Sequence, residues 1–182
     1  MAQLQTSHNV QASGNGEDTY TKHTISILME NNFGAFNRIA GLFATKGYNI
    51  ESITVGPTEE QDITRMTIVT RGADHVIDQI IKQLNRLIDT ITVVDLTYES
   101  FVERDLALIK VETNPETRSE IMQIGEIFRA KVIDISPKTL TMETTGSQKK
   151  VDAIIAMLRP FGIKEIARTG RVALKREFQG EV

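Results

Sequence analysis

Along residues 23–30 the apolar side chains Ile25, Ile27 and Met29 alternate with Thr24, Ser26 and Leu28, and a period of two predicts a strand. The period then changes. Phe36, Ile39, Ala40 and Phe43 stand at i, i+3, i+4 and i+7, which predicts an amphipathic helix opened by Asn31, Asn32 and Gly34 and closed at Lys46-Gly47. Residues 50–55 return to strand character before the Gly56-Pro57 break, and a third strand covers residues 63–70 after the polar turn at 58–62. Ile77, Ile80, Ile81, Leu84 and Ile88 recur at helical spacing in the stretch 73–87 and just beyond it, and a strand over residues 91–98 completes a β-α-β-β-α-β series.

After a polar connector at residues 99–104 the same order recurs with different residues. A strand is predicted at 106–112. Asn114-Pro115 then opens a helix with Ile121, Ile124, Gly125 and Phe128 on its apolar face, and strands at 132–136 and 140–144 flank the Pro137-Lys138 turn. A helix carrying Val151, Ile154, Ile155 and Leu158 stops at Pro160-Phe161-Gly162, and a last strand runs over residues 163–168. The fold class is α+β: two ferredoxin-like βαββαβ domains, each an antiparallel four-stranded sheet with two helices on one face. The expected division is a flexible polar leader at residues 1–22, a first domain at 23–98 and a second at 104–178.

Composition narrows the function. The chain has no cysteine, which excludes a disulfide framework, a thiolate zinc site and a cysteine nucleophile, and fits a reducing cytoplasm. A formal charge of −3 with both signs well mixed leaves no basic field for a run of phosphates, so no nucleic acid is expected as partner. The leader lacks the apolar core of a signal peptide, and no stretch approaches the roughly 18 apolar residues that span a bilayer, so no membrane is expected either.

The fold itself hosts many activities, so the residues must decide. An RNA-recognition domain would carry stacking aromatics on its central strands, and residues 23–30 and 63–70 contain none. No phosphate cradle occurs in either half. His8, His23 and His75 lack partners at metal-ligand spacing and read as surface histidines, while Glu59-Glu60 reads as a solvated turn. No catalytic residue, metal site or cofactor is expected in this chain.

One stretch differs in kind. In Glu30-Asn31-Asn32-Phe33-Gly34-Ala35-Phe36 a glycine lets the backbone approach a ligand where unpaired amides emerge at a helix start. A carboxylate would be held by the amides of Gly34, Ala35 and Phe36 and by the helix dipole, and the Asn31 side-chain oxygen can accept from an ammonium group. Taken alone, local chemistry favours a plainer alternative, a helix cap made by Asn31 or Asn32 with a packing glycine behind it.

The run Met29-Glu30-Asn31-Asn32-Phe33-Gly34-Ala35-Phe36-Asn37-Arg38 with Lys46-Gly47-Tyr48-Asn49-Ile50-Glu51-Ser52 resembles the ACT domain of acetohydroxyacid synthase small subunits. The resemblance continues through Ser52-Ile53-Thr54-Val55-Gly56-Pro57-Thr58, Lys82-Gln83-Leu84-Asn85-Arg86-Leu87-Ile88, Phe101-Val102-Glu103-Arg104-Asp105-Leu106 and Ile166-Ala167-Arg168-Thr169-Gly170, in family order. It implies a homodimer of chains with an N-terminal ACT domain and a C-terminal ACT-like domain, with valine as effector between paired ACT domains. It also implies a partner, the large catalytic subunit, which carries thiamine diphosphate, magnesium and usually FAD and makes acetohydroxy acids from pyruvate for branched-chain amino acid biosynthesis. The small subunit raises that activity and confers feedback inhibition.

Carried over residue by residue, the effector contacts are Asn31, Gly34, Ala35 and Phe36, with Phe33 beside them and Asn49 and Ile50 from the facing chain. Phe33 and Phe36 stand where the family commonly has smaller residues, which bears on the shape of the side-chain pocket. The strand at 50–55 is expected at a sheet edge without Lys or Pro to block pairing with its own copy. A stand-alone amino-acid-binding regulator with no large subunit is the alternative reading.

Overall fold

The computed structural model describes residues 21–177. Residues 1–20 of the expected leader lie outside the described residues, and Thr21 and Lys22 already belong to a strand. The first half runs β1 (Thr21–Glu30), α1 (Ala35–Lys46), β2 (Ile50–Pro57), β3 (Ile63–Gly72), α2 (Asp74–Leu84) and β4 (Thr90–Asp95). Its antiparallel sheet has the order β2-β3-β1-β4, so β2 is an edge strand. Register follows the hydrophobic alternation. Ile25 faces Ile68 and Ile27 faces Met66, which puts the apolar positions of both central strands on one side, under Ile39 and Phe43 of α1 and Ile77, Ile80 and Leu84 of α2. Gly47 closes α1 at φ 69°, in the left-handed conformation that glycine adopts without a Cβ penalty.

The second half repeats the plan with β5 (Phe101–Glu112), α3 (Arg118–Ile127), β6 (Lys131–Ile135), β7 (Thr139–Gly146), α4 (Gln148–Leu158) and β8 (Ile163–Arg168). The order β6-β7-β5-β8 is the same permutation, with β6 at the edge that β2 holds in the first sheet. Ala107, Ile109 and Val111 of β5 and Leu140 and Met142 of β7 meet Ile121, Val151, Ile154 and Leu158 in a second, separate core.

The second sheet departs from the expected four strands. A ninth strand, β9 (Val172–Lys175), pairs with residues of β5 that sequence periodicity leaves as connector: Phe101 with Lys175, Val102 with Leu174, Glu103 with Ala173 and Arg104 with Val172. The connector is therefore short, and β5 begins at Phe101. Phe101-Val102-Glu103-Arg104 lacks a strong apolar face, and its pairing partner comes from the far end of the chain.

The extra strand has a structural role. Parity puts Thr24, Ser26, Thr67 and Val69 on the face of the first sheet that carries no helices, yet all four are buried. β9 runs against β1 there, and Arg171 donates to the Thr24 hydroxyl. The second domain thus rests on part of the helix-free face of the first sheet.

Candidate functional site

β1 ends at Glu30 and the chain passes through Asn31, Asn32 and Phe33 into α1, with Gly34 as the residue before the helix at φ 86°. No side chain caps this helix. The alternative reading of Asn31 or Asn32 as a cap therefore fails. The Asn32 amide instead donates 2.7 Å to the Glu30 carboxylate, and the Asn31 backbone N–H donates 2.8 Å to the Asp62 carbonyl. The Ala35 N–H closes a turn onto the Asn32 carbonyl at 3.1 Å.

Arg38, one turn into α1, is a neighbour of Gly34 that pattern reading misses. Its Nη1 lies 3.4 Å from where a Cβ on Gly34 would stand, and its Nε donates 2.6 Å to Asp89 Oδ2. Asp89 is buried in the turn before β4 and is anchored by its own carbonyl, which accepts from the Glu30 N–H at 2.8 Å. The hydrogen bond from Arg38 holds the Asp89 carboxyl below its ordinary range, and the same bond raises the guanidinium. The signal available in the sequence is the i, i+4 spacing of Gly34 and Arg38 on one helical face.

The duplicated domain supplies an internal comparison. At the equivalent β5-to-α3 connection, Asn114 Oδ1 accepts from the N–H groups of Glu116 and Thr117 at 2.9 and 2.8 Å and from the Thr117 hydroxyl at 3.1 Å. There the chain's own side chain supplies the oxygen that satisfies the approach to the helix. At Gly34 none does.

Phe33 is fully exposed and Phe36 is 44% exposed, so Phe36 leaves the apolar face on which the helical period places it with Ile39 and Phe43. Ala35 is buried in the first core. Tyr48 packs edge-to-face on Phe43 at 6.3 Å between ring centres, against the first core.

Within one chain the expected contacts do not all meet. Glu30 faces Ile63 at one end of β3, whereas Ile50 faces Thr70 at the other. At about 3.4 Å per residue these ends lie roughly 20 Å apart. Asn49 and Ile50 are thus at the opposite end of the sheet from Asn31, Gly34, Ala35 and Phe36, with the Asn49 carbonyl held by the Thr70 hydroxyl at 2.7 Å.

One histidine departs from its expected surface position. His23 is 1% exposed, with Nδ1 2.8 Å from Asp95 Oδ2, Nε2 3.3 Å from Asp74 Oδ1 and its ring edge-to-face with Tyr98. It shares the parity of Ile25 and Ile27 on a central strand, so it points under α2, where burial demands partners. His75 is exposed, and His8 lies outside the described residues.

The fold and this loop define a class: a chain of two ACT-type domains whose first domain has an open, glycine-led helix start. Comparison with known proteins makes the class specific. Residues 25–92 match the AHAS small subunit-like ACT domain and residues 104–177 match the family described as the small subunit of acetolactate synthase. The acetolactate synthase small subunit of Aquifex aeolicus is 55% identical over 157 residues, covering 86% of this chain and 82% of that protein. That of Mycolicibacterium smegmatis is 44% identical over 158 residues, covering 87% and 93%. The crystal structure of the Thermotoga maritima small subunit superimposes with a TM-score of 0.79 at 42% identity, covering 86% of this chain and 98% of that one.

The chain belongs to the acetolactate synthase small-subunit family. Membership places it in branched-chain amino acid biosynthesis and implies a large catalytic subunit as its partner. No described helix is long and apolar enough to cross a membrane.

Proposed function

We propose that this chain is a non-catalytic subunit that homodimerises through its first domain, binds the large catalytic subunit in the cytoplasm, raises its rate and confers inhibition by valine. Thiamine diphosphate, magnesium and FAD belong to the catalytic partner. Residues 23–98 act as the sensing unit and 104–178 as a second unit that works with it.

The observation that carries the reading is the contrast between the turns that precede the two helices: ahead of α3, Asn114 Oδ1 takes the N–H groups of Glu116 and Thr117, whereas the Gly34 turn ahead of α1 holds no side-chain oxygen on its amides and has the Arg38 guanidinium beside it, which suits an incoming carboxylate. The position of the edge strand supports a site shared by two chains. A two-fold axis through the middle of β2, near Ile53, reverses the strand and brings Asn49 and Ile50 of one chain beside Gly56 and Pro57 of the other. Pro57 pairs with Thr64, and Thr64 with Met29, so this is the end of the sheet from which the Asn31 loop leaves. The seven residues that one chain separates are thereby gathered by two. The exposed rings of Phe33 and Phe36 give the ligand's aliphatic side chain and the facing protomer an apolar surface to cover.

The test is reconstitution. The chain alone forms no acetolactate from pyruvate, mixing it with its catalytic subunit raises the rate, and valine lowers that rate. Turnover by the chain freed of catalytic subunit, or a mixture indifferent to valine, counts against the reading.

A further inference from the structure

The turn between β8 and β9, Thr169-Gly170-Arg171, belongs to the second domain but rests on β2 of the first. Thr54 Oγ1 donates 3.1 Å to the Thr169 carbonyl. Gly170 adopts φ 82°, and a Cβ there would stand 3.0 Å from Ser52 Cβ and 3.1 Å from Thr54 Oγ1, so both its conformation and its contact call for glycine. Arginines on either side bind the turn to its own domain. Arg168 pairs with buried Asp105 on β5 and, at 2.8 Å, with Asp152 on α4. Arg171 meets Glu103 of β5 at 2.8 Å, donates 2.8 Å to Gln148 at the start of α4, and also reaches Thr24 on β1. A cavity of about 370 Å³ beside the turn is lined by Glu51, Ser52, Asp105, Gln148, Arg168 and Gly170.

β2 pairs with β3 along one edge only. Its free edge is the one available to a second copy, and its helix-free face touches Gly170. A shift of β2 at that edge would press on the turn without passing through the core of either domain, and the arginine pairs join the turn to β5 and α4. The cavity gives the turn room to take a second position.

We propose that the contact of Ser52 and Thr54 with Thr169 and Gly170 is the joint through which effector occupancy in the first domain reaches the second, and so the catalytic partner. The proposal rests on the effector reading above. Coupling requires that the ligand-bound and ligand-free states differ in free energy at this joint, and a turn held against one strand beside open volume is an element on which such a difference can act.

The experiment uses the full chain with its catalytic subunit and two variants, Gly170→Ala and Thr54→Val. Three quantities are read: valine binding to the chain by calorimetry, the rate without valine, and the rate at saturating valine. Both variants are expected to bind valine and to stimulate the enzyme as the unaltered chain does. The ratio of rates without and with saturating valine is expected to fall roughly threefold or more in Gly170→Ala, and less in Thr54→Val. If Gly170→Ala fails to fold by circular dichroism, Thr54→Val, which keeps the side-chain shape and removes only the hydrogen bond, carries the test. Full inhibition at saturation by folded variants that bind valine overturns the joint. Failure of the unaltered chain to bind valine is a separate result, which overturns the effector reading and this inference with it.

Discussion

Arg38 donates from Nε to Asp89 Oδ2 at 2.6 Å while its Nη1 points toward the space that Gly34 leaves empty. Asp89 thus fixes the guanidinium at the helix start, where a ligand carboxylate would meet both it and the amide dipoles. Replacing Arg38 by Gln is expected to weaken valine inhibition by roughly tenfold, because a charge-assisted contact to the carboxylate is lost, while stimulation of the catalytic subunit persists. Titrating valine against the reconstituted enzyme checks this, and an unshifted curve removes Arg38 from the site.

The same pair sets a pH expectation. Because Arg38 lowers the folded-state pKa of Asp89, the contribution of the pair is fully present above the ordinary carboxylate range and is lost only as pH falls through the lowered value. Between about pH 6 and 8 the pair stays charged. Asp89→Asn should therefore weaken valine inhibition by the same factor at both ends of that range, whereas a loss confined to one end would mean that another group titrates at the site.

At position 34, aspartate would place a carboxylate within reach of Arg38 and the helix-start amides, in competition with the effector's own, on a backbone at φ 86° that side chains other than Asn and Asp seldom adopt. Gly34→Asp is expected to abolish valine inhibition and leave stimulation largely intact. Asn31→Ala acts in the same direction and more mildly. Loss of stimulation as well as inhibition in Gly34→Asp would indicate a damaged fold rather than a filled site.

The parts of this arrangement that can be read from sequence are those written locally. Ile25, Ile27 and Met29 alternate because one face of β1 is buried in their own domain, and Val151, Ile154 and Leu158 repeat for the same reason on α4. Gly34 is legible as a backbone device, and its use as an uncapped helix start follows once both asparagines are seen to be engaged elsewhere or exposed. What stays hidden is whatever depends on a distant segment. Val102 becomes a strand residue because Leu174 returns to it, His23 is buried because Asp74 and Asp95 come to it, and Arg38 is aimed by Asp89. In each case the local residue types allow several environments, and the tertiary partner selects one.

The edge of the first sheet gives a prediction about assembly. Ile53 lies in the middle of β2 and packs partly against the first core. Ile53→Lys puts a charge close to its own copy across the two-fold axis and disfavours the paired edge. Sedimentation should show weaker dimerisation, with the valine response falling in parallel because the proposed dimer takes Asn49 and Ile50 from the facing chain. A dimer as tight as the unaltered one would move the interface away from β2.

A chain cut after Tyr98 keeps every strand and helix of the first domain, along with the core of Ile27, Phe43, Ile68 and Ile80, so it should fold. It loses the cover on the other side of its sheet. Thr24, Ser26, Thr67 and Val69 are buried on that face in the full chain, and removing β9 and Arg171, which contact β1 there, is expected to expose them in part and to add apolar surface to a sheet whose β2 edge is also open. The hydroxyls lose little by hydration, so the change in stability comes mainly from the lost interdomain packing and the Arg171 contacts. The truncated chain is therefore expected to unfold at a lower denaturant concentration than the full chain and to self-associate more readily. It retains Gly34, Arg38 and the β2 edge, so it should still bind valine by calorimetry, but without the Gly170 joint that binding has no route to the second domain. Measured with the catalytic subunit, it should give partial stimulation that valine does not reverse; stimulation and inhibition both equal to those of the full chain would show that the second domain has no part in either.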